Sequence, residues 1–131
     1  MPKATSFNDQ PPLMANGPCV QAPVPAALLN VPAMLAAGAT WTSHLISSDG
    51  YQKISAALTS SQAGTLSVLR FLDDAGQIAQ TAFAPTSVSA ATPAVNNVND
   101  GLPFASFQIS FHNTGGSTAN LTNVMALLQS Q

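Results

Sequence analysis

The sequence predicts an all-β fold, a two-layer β-sandwich of jelly-roll type behind an extended, proline-rich N-terminal arm. Three observations carry this. From Thr40 onward, short apolar runs recur about every 8–12 residues between clusters of Gly, Asp, Asn and Ser, the punctuation of a sandwich or barrel. Seven of the ten prolines lie in the first 32 residues, where the missing N–H groups exclude a regular ladder or helix interior. Only 6% of the 131 residues are charged and none is glutamate, against about 25% charged in an ordinary soluble domain.

The arm is drawn as residues 1–39 and the body as 40–131. Between the arm's prolines sit apolar side chains, among them Phe7, Leu13, Met14, Val20, Leu28 and Leu29, which are the expected partner contacts. A solvated linker would be rich in Gly and Ser instead. Fully stretched, 39 residues reach roughly 130 Å at ~3.3 Å each, so the segment can leave its domain. It can equally lie as a strap on its own body, with a helical turn at Pro25–Leu29 or Met34–Ala37.

In the body, the expected strands begin with Thr40–Ile46 and Tyr51–Leu58, the latter with Ile54, Ala56 and Leu58 on one face. Next comes Thr65–Leu72, with Leu66, Val68 and Leu72 on one face and Leu69 and Phe71 on the other. Apolar residues on both faces mark a central or covered strand. Asp73–Gly76 makes a tight connection into Gln77–Ala84. Thr86–Ala91 is a further strand, and 92–103 an Asn-rich loop with a turn at Asp100–Gly101. Phe104–His112 places Phe107, Ile109 and Phe111 on one face, opposite Ser106, Gln108 and Ser110. After the turn at Asn113–Ser117, Ala119–Gln129 is assigned as a strand rather than a helix, because cap chemistry is missing. It is expected to set Leu121, Met125 and Leu127 opposite Val124, Ala126 and Leu128. Trp41, Tyr51, Phe107 and Phe111 are the expected core or interface anchors. Edge strands look poorly guarded, since blocking charges and prolines are scarce after residue 40.

Composition excludes several functions. Lys3, Lys53 and Arg70 are the only strong bases, too few for the phosphate contacts of nucleic-acid binding. No run of ~18 apolar residues is present to span a membrane, and the start Met1-Pro2-Lys3-Ala4 lacks the apolar region of an export signal. A net charge of only -2 fits a surface sheltered in an assembly better than one exposed alone. No cofactor or metal is expected. Cys19 has no partner cysteine, and His44 and His112 fall short of the ligand set of a zinc site. Asp73-Asp74 reads as a turn, because neighbouring residues of a strand face opposite ways. No Gly-x-Ser-x-Gly elbow occurs, and Gly115-Gly116 lacks the context of a phosphate loop. Asn120-Leu121-Thr122 matches a glycosylation sequon only as a short tripeptide. Trp41 and Tyr51 are either anchors or a sugar-stacking platform.

The stretch from Thr42 to Ile54, containing Asp49-Gly50-Tyr51, is followed by Ala63-Gly64-Thr65-Leu66-Ser67-Val68 and Asp73-Asp74-Ala75-Gly76. Together they resemble a β-module of bacteriophage virion proteins. With the arm, the chain resembles a capsid cement (decoration) protein of a tailed phage. The resemblance covers residues 40–80 and rests on turn residues. It implies a non-enzymatic component of the virion exterior, synthesised in the host cytoplasm, that binds the major capsid protein. Self-pairing as a homodimer is expected from the weakly charged β surfaces. Similar modules occur in tail fibres and tail tips, where a carbohydrate or receptor would be the partner.

Overall fold

The computed structural model describes residues 20–130; Phe7, Leu13, Met14 and Cys19 lie outside them. The elements in chain order are β1 (Gln21–Pro23), α1 (Ala26–Leu29), β2 (Met34–Leu35), β3 (Thr40–Thr42), β4 (Ile46–Ser47), β5 (Lys53–Ser60), β6 (Gly64–Phe71), β7 (Thr86–Val88), β8 (Ala94–Val98), β9 (Ser106–Asn113) and β10 (Ala119–Gln129). In one sheet β1 and β2 both pair with β10, followed by β5 and β8. In the other, β3 and β4 both pair with β9, followed by β6 and β7. All pairings are antiparallel. Counting β1/β2 and β3/β4 as two interrupted strands leaves eight. The first pairs with the eighth, the second with the seventh, the third with the sixth, and the fourth with the fifth. A chain doubled back on itself and rolled gives this nesting, which is the jelly roll.

Period-two alternation makes these strands. In β5 Ile54, Ala56 and Leu58 point inward, and in β9 Phe107, Ile109 and Phe111 do, each at most 1% exposed. Trp41 joins this core, and Tyr51 packs against its margin half-buried. Burial of each large side chain contributes about 1.5–3 kcal/mol. The neighbouring strands β6 and β9 meet tightly where β6 begins. A Cβ on Gly64 would overlap the His112 carbonyl and the Phe111 ring, with Phe111 Cε1 at 2.6 Å. Gly64→Ala should therefore destabilise the fold by about 1–3 kcal/mol, read as a lowered urea midpoint. Gly116→Ala, whose Cβ would meet nothing within 4 Å, is the control and should leave the midpoint in place.

The boundary expected at residue 39 is not where the body starts. Residues 20–39 supply one whole edge of the first sheet: Gln21, Ala22 and Pro23 pair with Gln129, Leu128 and Leu127, and Met34 and Leu35 with Asn120 and Ala119. Leu29 is 2% exposed, so it is a residue of its own core and not a partner contact. The expected helical turn at Pro25–Leu29 is present as α1, closed by Asn30 in the left-handed conformation, whereas Met34–Leu35 is strand. Trp41 fastens the segment by donating its Nε1–H to the carbonyls of Leu29 (3.1 Å) and Asn30 (3.0 Å).

The prolines now have a positional reason. Val24 donates its N–H to the Ala126 carbonyl, and Val20 accepts one from Ser130. Pro23 lies between them with its backbone turned to the outer edge, where it offers no donor to an incoming strand. The three residues of β7 likewise sit between Pro85 and Pro93. The β1 edge is thus guarded and β7 is flanked by prolines, whereas the edge strands β3, β4 and β8 contain neither proline nor charge.

Three other expectations change. Gln77–Ala84 forms only the single bridge Phe71↔Ala79, because the Asp73 carboxylate accepts the N–H groups of Gln77 and Ile78 and turns the chain early. The expected loop 92–103 contains β8. Its Asn96 disguised a buried position, since the side chain is 1% exposed and donates to the carbonyls of Leu66 and Ala84. In β10 a bulge between Thr122 and Met125, with Asn123 at φ 52°, shifts the alternation. Leu121 therefore joins Ala126 and Leu128 in the core, and Met125 is left outside at 54% exposure.

Candidate functional site: a charge-free end of the sandwich

Rolling the chain sends successive loops to opposite ends. The loops 36–39, 61–63, 89–93 and 114–118 meet at one end, and the loops 48–52, 72–85 and 99–105 at the other, together with Val20 and Ser130. Every charged residue among those described, Asp49, Lys53, Arg70, Asp73, Asp74 and Asp100, belongs to the second end. The first end is built from Ala, Gly, Ser, Thr, Pro and one Gln. Ala36, Ala37, Ala63, Ala90, Ala91 and Thr92 stand exposed on it.

This surface is rigid. Asn113, fully buried, shares its two Nδ2 hydrogens among the carbonyls of Leu35 (3.1 Å), Ala36 (3.2 Å) and Ser117 (3.0 Å). Its Oδ1 accepts the Gly115 N–H at 2.9 Å. Gly38 donates to the Asn113 carbonyl, Thr114 to that of Ala63, Ser61 to that of Asn120, and Ala91 to that of Ser60. Each of the four loops is thus tied to a strand or to another loop. A surface of Ala, Gly and Pro loses almost no side-chain entropy when it is covered, and without charge it costs little desolvation. Both properties favour docking against another protein.

The outward face of the second sheet continues the theme. The registers Thr40↔His112↔Thr65↔Ser87 and Thr42↔Ser110↔Ser67 form rows of hydroxyl groups, with His112 Nδ1 hydrogen-bonded to Thr40 Oγ1 at 2.8 Å. No family model matches the chain, and no curated protein matches it.

At the charged end, Arg70 points inward with its side chain 1% exposed and meets both carboxylate oxygens of Asp100, at 2.7 and 2.8 Å. It also donates to the Thr81 carbonyl at 3.0 Å and stacks 5.8 Å from the centroid of the Phe83 ring. The hydrogen bonds from Arg70 hold the Asp100 carboxyl below its usual range. The N–H groups of Ile78 and Gln77 do the same for Asp73. Asp100–Gly101 is therefore a turn, as expected, and Asp100 is also the water-facing half of an ion pair whose other half, Arg70, is buried. These groups brace the fold.

Of the expected partner contacts, Val20 (50%) and Leu28 (36%) are exposed and Leu29 is buried. Trp41, at 5% exposure with its indole N–H engaged, stacks on nothing from outside. His44 is exposed, away from His112. Among the described residues no three His, Cys, Asp or Glu gather as a metal site, and no helix is long and apolar enough to cross a membrane. The charge-free end was missed because its residues are individually unremarkable; sorting charges by alternate loops, once a jelly roll is assumed, would have found it.

Proposed function

We propose that the protein is a non-enzymatic structural component of a virion, a cement protein that binds the outer face of a capsid and holds neighbouring major-capsid subunits together. The segregation of charge carries this. One end of the body is a rigid, uncharged platform of small residues suited to lying on another protein. The other end bears all the charge of the described body and is suited to water. Val20, from which the arm residues Phe7, Leu13 and Met14 lead off, lies at the charged end. The two attachments are therefore a strand length apart, about 25 Å for eight residues at ~3.3 Å. A body and an arm that grip different subunits reinforce each other through effective concentration. The hydroxyl-lined face of the second sheet is the surface proposed for a twin copy.

The test is to place charge on the platform. Ala37→Asp combined with Ala90→Asp touches exposed loop positions only, so the fold should be retained. Binding to purified capsids should fall at least tenfold, about 1.4 kcal/mol, and the protein should be present in purified particles at numbers comparable to the major capsid subunit. Unchanged binding by the double variant, or only a handful of copies per particle, would overturn the proposal.

A further inference from the structure

β6 has an edge that its own sheet leaves open. Its pairing with β7 ends at Leu66↔Thr86 and resumes at the bridge Phe71↔Ala79. Continued unchanged, the first register would set Ala84 opposite Val68 and Thr81 opposite Phe71, so surplus chain loops out in between. Two buried side chains hold that loop off the strand. Asn96 donates to the carbonyls of Leu66 (3.3 Å) and Ala84 (3.2 Å), and the second is the group that Val68 would otherwise meet. Arg70 donates from Nη2 to the Thr81 carbonyl at 3.0 Å. Behind the loop lies a cavity of about 370 Å³, bounded by residues 67–71 of β6 and, across from them, by Ala79, Ala82, Phe83 and Pro85. Consecutive residues of a strand point to opposite faces, so a cavity lined by five in a row faces the strand's edge.

The polar groups at this edge are specific. Ile109 donates its N–H to Ser43 Oγ and accepts the N–H of Ser43, so its backbone is turned away from β6. Val68, which stands opposite Ile109, therefore turns its own N–H and C=O the other way, toward the loop. No backbone group of residues 79–85 meets them. Among the described residues, the buried side-chain polar atoms without a hydrogen-bond partner are Arg70 Nε and Asn96 Oδ1, and they belong to the two side chains that hold the loop away. We propose that this slot binds an extended, uncharged segment of another polypeptide, which adds a short strand to β6. A donor and an acceptor on one residue of a strand edge are answered by the donor and acceptor of a second main chain. The walls of alanine, phenylalanine and proline take an apolar side chain. Charge is not called for, because Asp100 already meets both terminal nitrogens of Arg70. The open edge, residues 67–70, is about 13 Å long at ~3.3 Å each, which suits a segment of that length and no whole strand. The proposal does not rest on the capsid assignment and holds wherever the protein works.

The experiment is an NMR titration of the full-length, 15N-labelled protein with a short peptide of alternating threonine and valine, acetylated and amidated at its ends. The amide signal of Val68 and the Nε–H signal of Arg70 should shift saturably at millimolar peptide. Exchange of the Val68 amide should slow at least about tenfold, while that of Leu69, which faces β9, stays as it was. The same peptide methylated on its central amide nitrogen, and so short of one main-chain donor, should bind at least about tenfold more weakly. Ala82→Trp places bulk in the cavity from an exposed loop position and should abolish the shifts without moving the urea midpoint. The proposal is overturned by the absence of saturable shifts at Val68, or by equal binding of the methylated peptide, which would mean apolar contact alone. Undiminished binding to Ala82→Trp would overturn it too, as would the same shifts on concentrating the protein without peptide, which would make a second copy the occupant.

Discussion

Asp100→Ala should lower stability by about 3–5 kcal/mol, because it strands the guanidinium of Arg70 between the sheets with no counter-charge. Of the pair, Arg70 has a side chain only 1% exposed, whereas that of Asp100 is 28% exposed. Truncating the acid therefore leaves a charge that water cannot reach, while truncating the base leaves one that water can. Arg70→Met, which keeps the apolar stem, should cost only about 1–2 kcal/mol, chiefly for the Thr81 carbonyl it abandons. Denaturant unfolding of the two variants decides the matter, and equal losses would contradict the asymmetry. The pair also sets a pH dependence. The folded carboxyl of Asp100 titrates below its usual value, so its contribution is present above about pH 3.9, the unfolded value, and is lost as pH falls through the lowered folded value. The wild-type urea midpoint should drop between pH 6 and pH 3, and Asp100→Ala should lose less over the same interval.

Asn113→Ala should cost about 1–3 kcal/mol, since it leaves the buried carbonyl of Leu35, the half-buried bonds to Ala36 and Ser117, and the N–H of Gly115 without their partner. The more telling variant is Asn113→Asp. It preserves shape but replaces a donating amide with an acceptor-only carboxylate aimed at three carbonyl oxygens. It should be at least as damaging as the alanine. Hydrogen exchange should show the amides of residues 36–39 and 114–118 losing protection together. A variant in which only one of these loops loosens would mean that Asn113 does not couple them.

How much of this the sequence foretold depended on how plainly a residue's type matched its place. The strands β5 and β9 were legible because Ile54–Leu58 and Phe107–Phe111 alternate cleanly, whereas the strand order was not, since turn spacing alone fits more than one way of pairing the strands. The chain conceals its plan where a polar side chain is buried and donates its hydrogen bonds inside the fold, even though Asn96 Oδ1 and Arg70 Nε are left without a partner. Asn96 hid β8 inside an apparent loop, and Arg70 interrupted the inward face of β6 with the least apolar side chain available. The bulge at Asn123 is invisible to a period-two count. The prolines left two readings open, an arm that leaves the body and a strap that lies on it. Pro23, Pro25 and Pro32 belong to a strap on the body's rim, and choosing between the two required knowing which strand has no neighbour. The candidate platform is legible only once loops are sorted by the end at which they emerge, because alanine and threonine announce nothing singly.

The nested pairing has a consequence for how the molecule comes into being. β10 lies between the first strand and β5, and no sheet in which β1 or β5 is fully paired can exist without it. A ribosome making this chain from its N-terminus must release residues 119–129 before the first sheet can close. Until then the apolar faces of β5, β6 and β9 await a partner. Such late, long-range closure makes for slow folding and leaves the nascent chain open to aggregation. Synthesis rate and temperature during expression should therefore govern the soluble yield of this protein more than its final stability does.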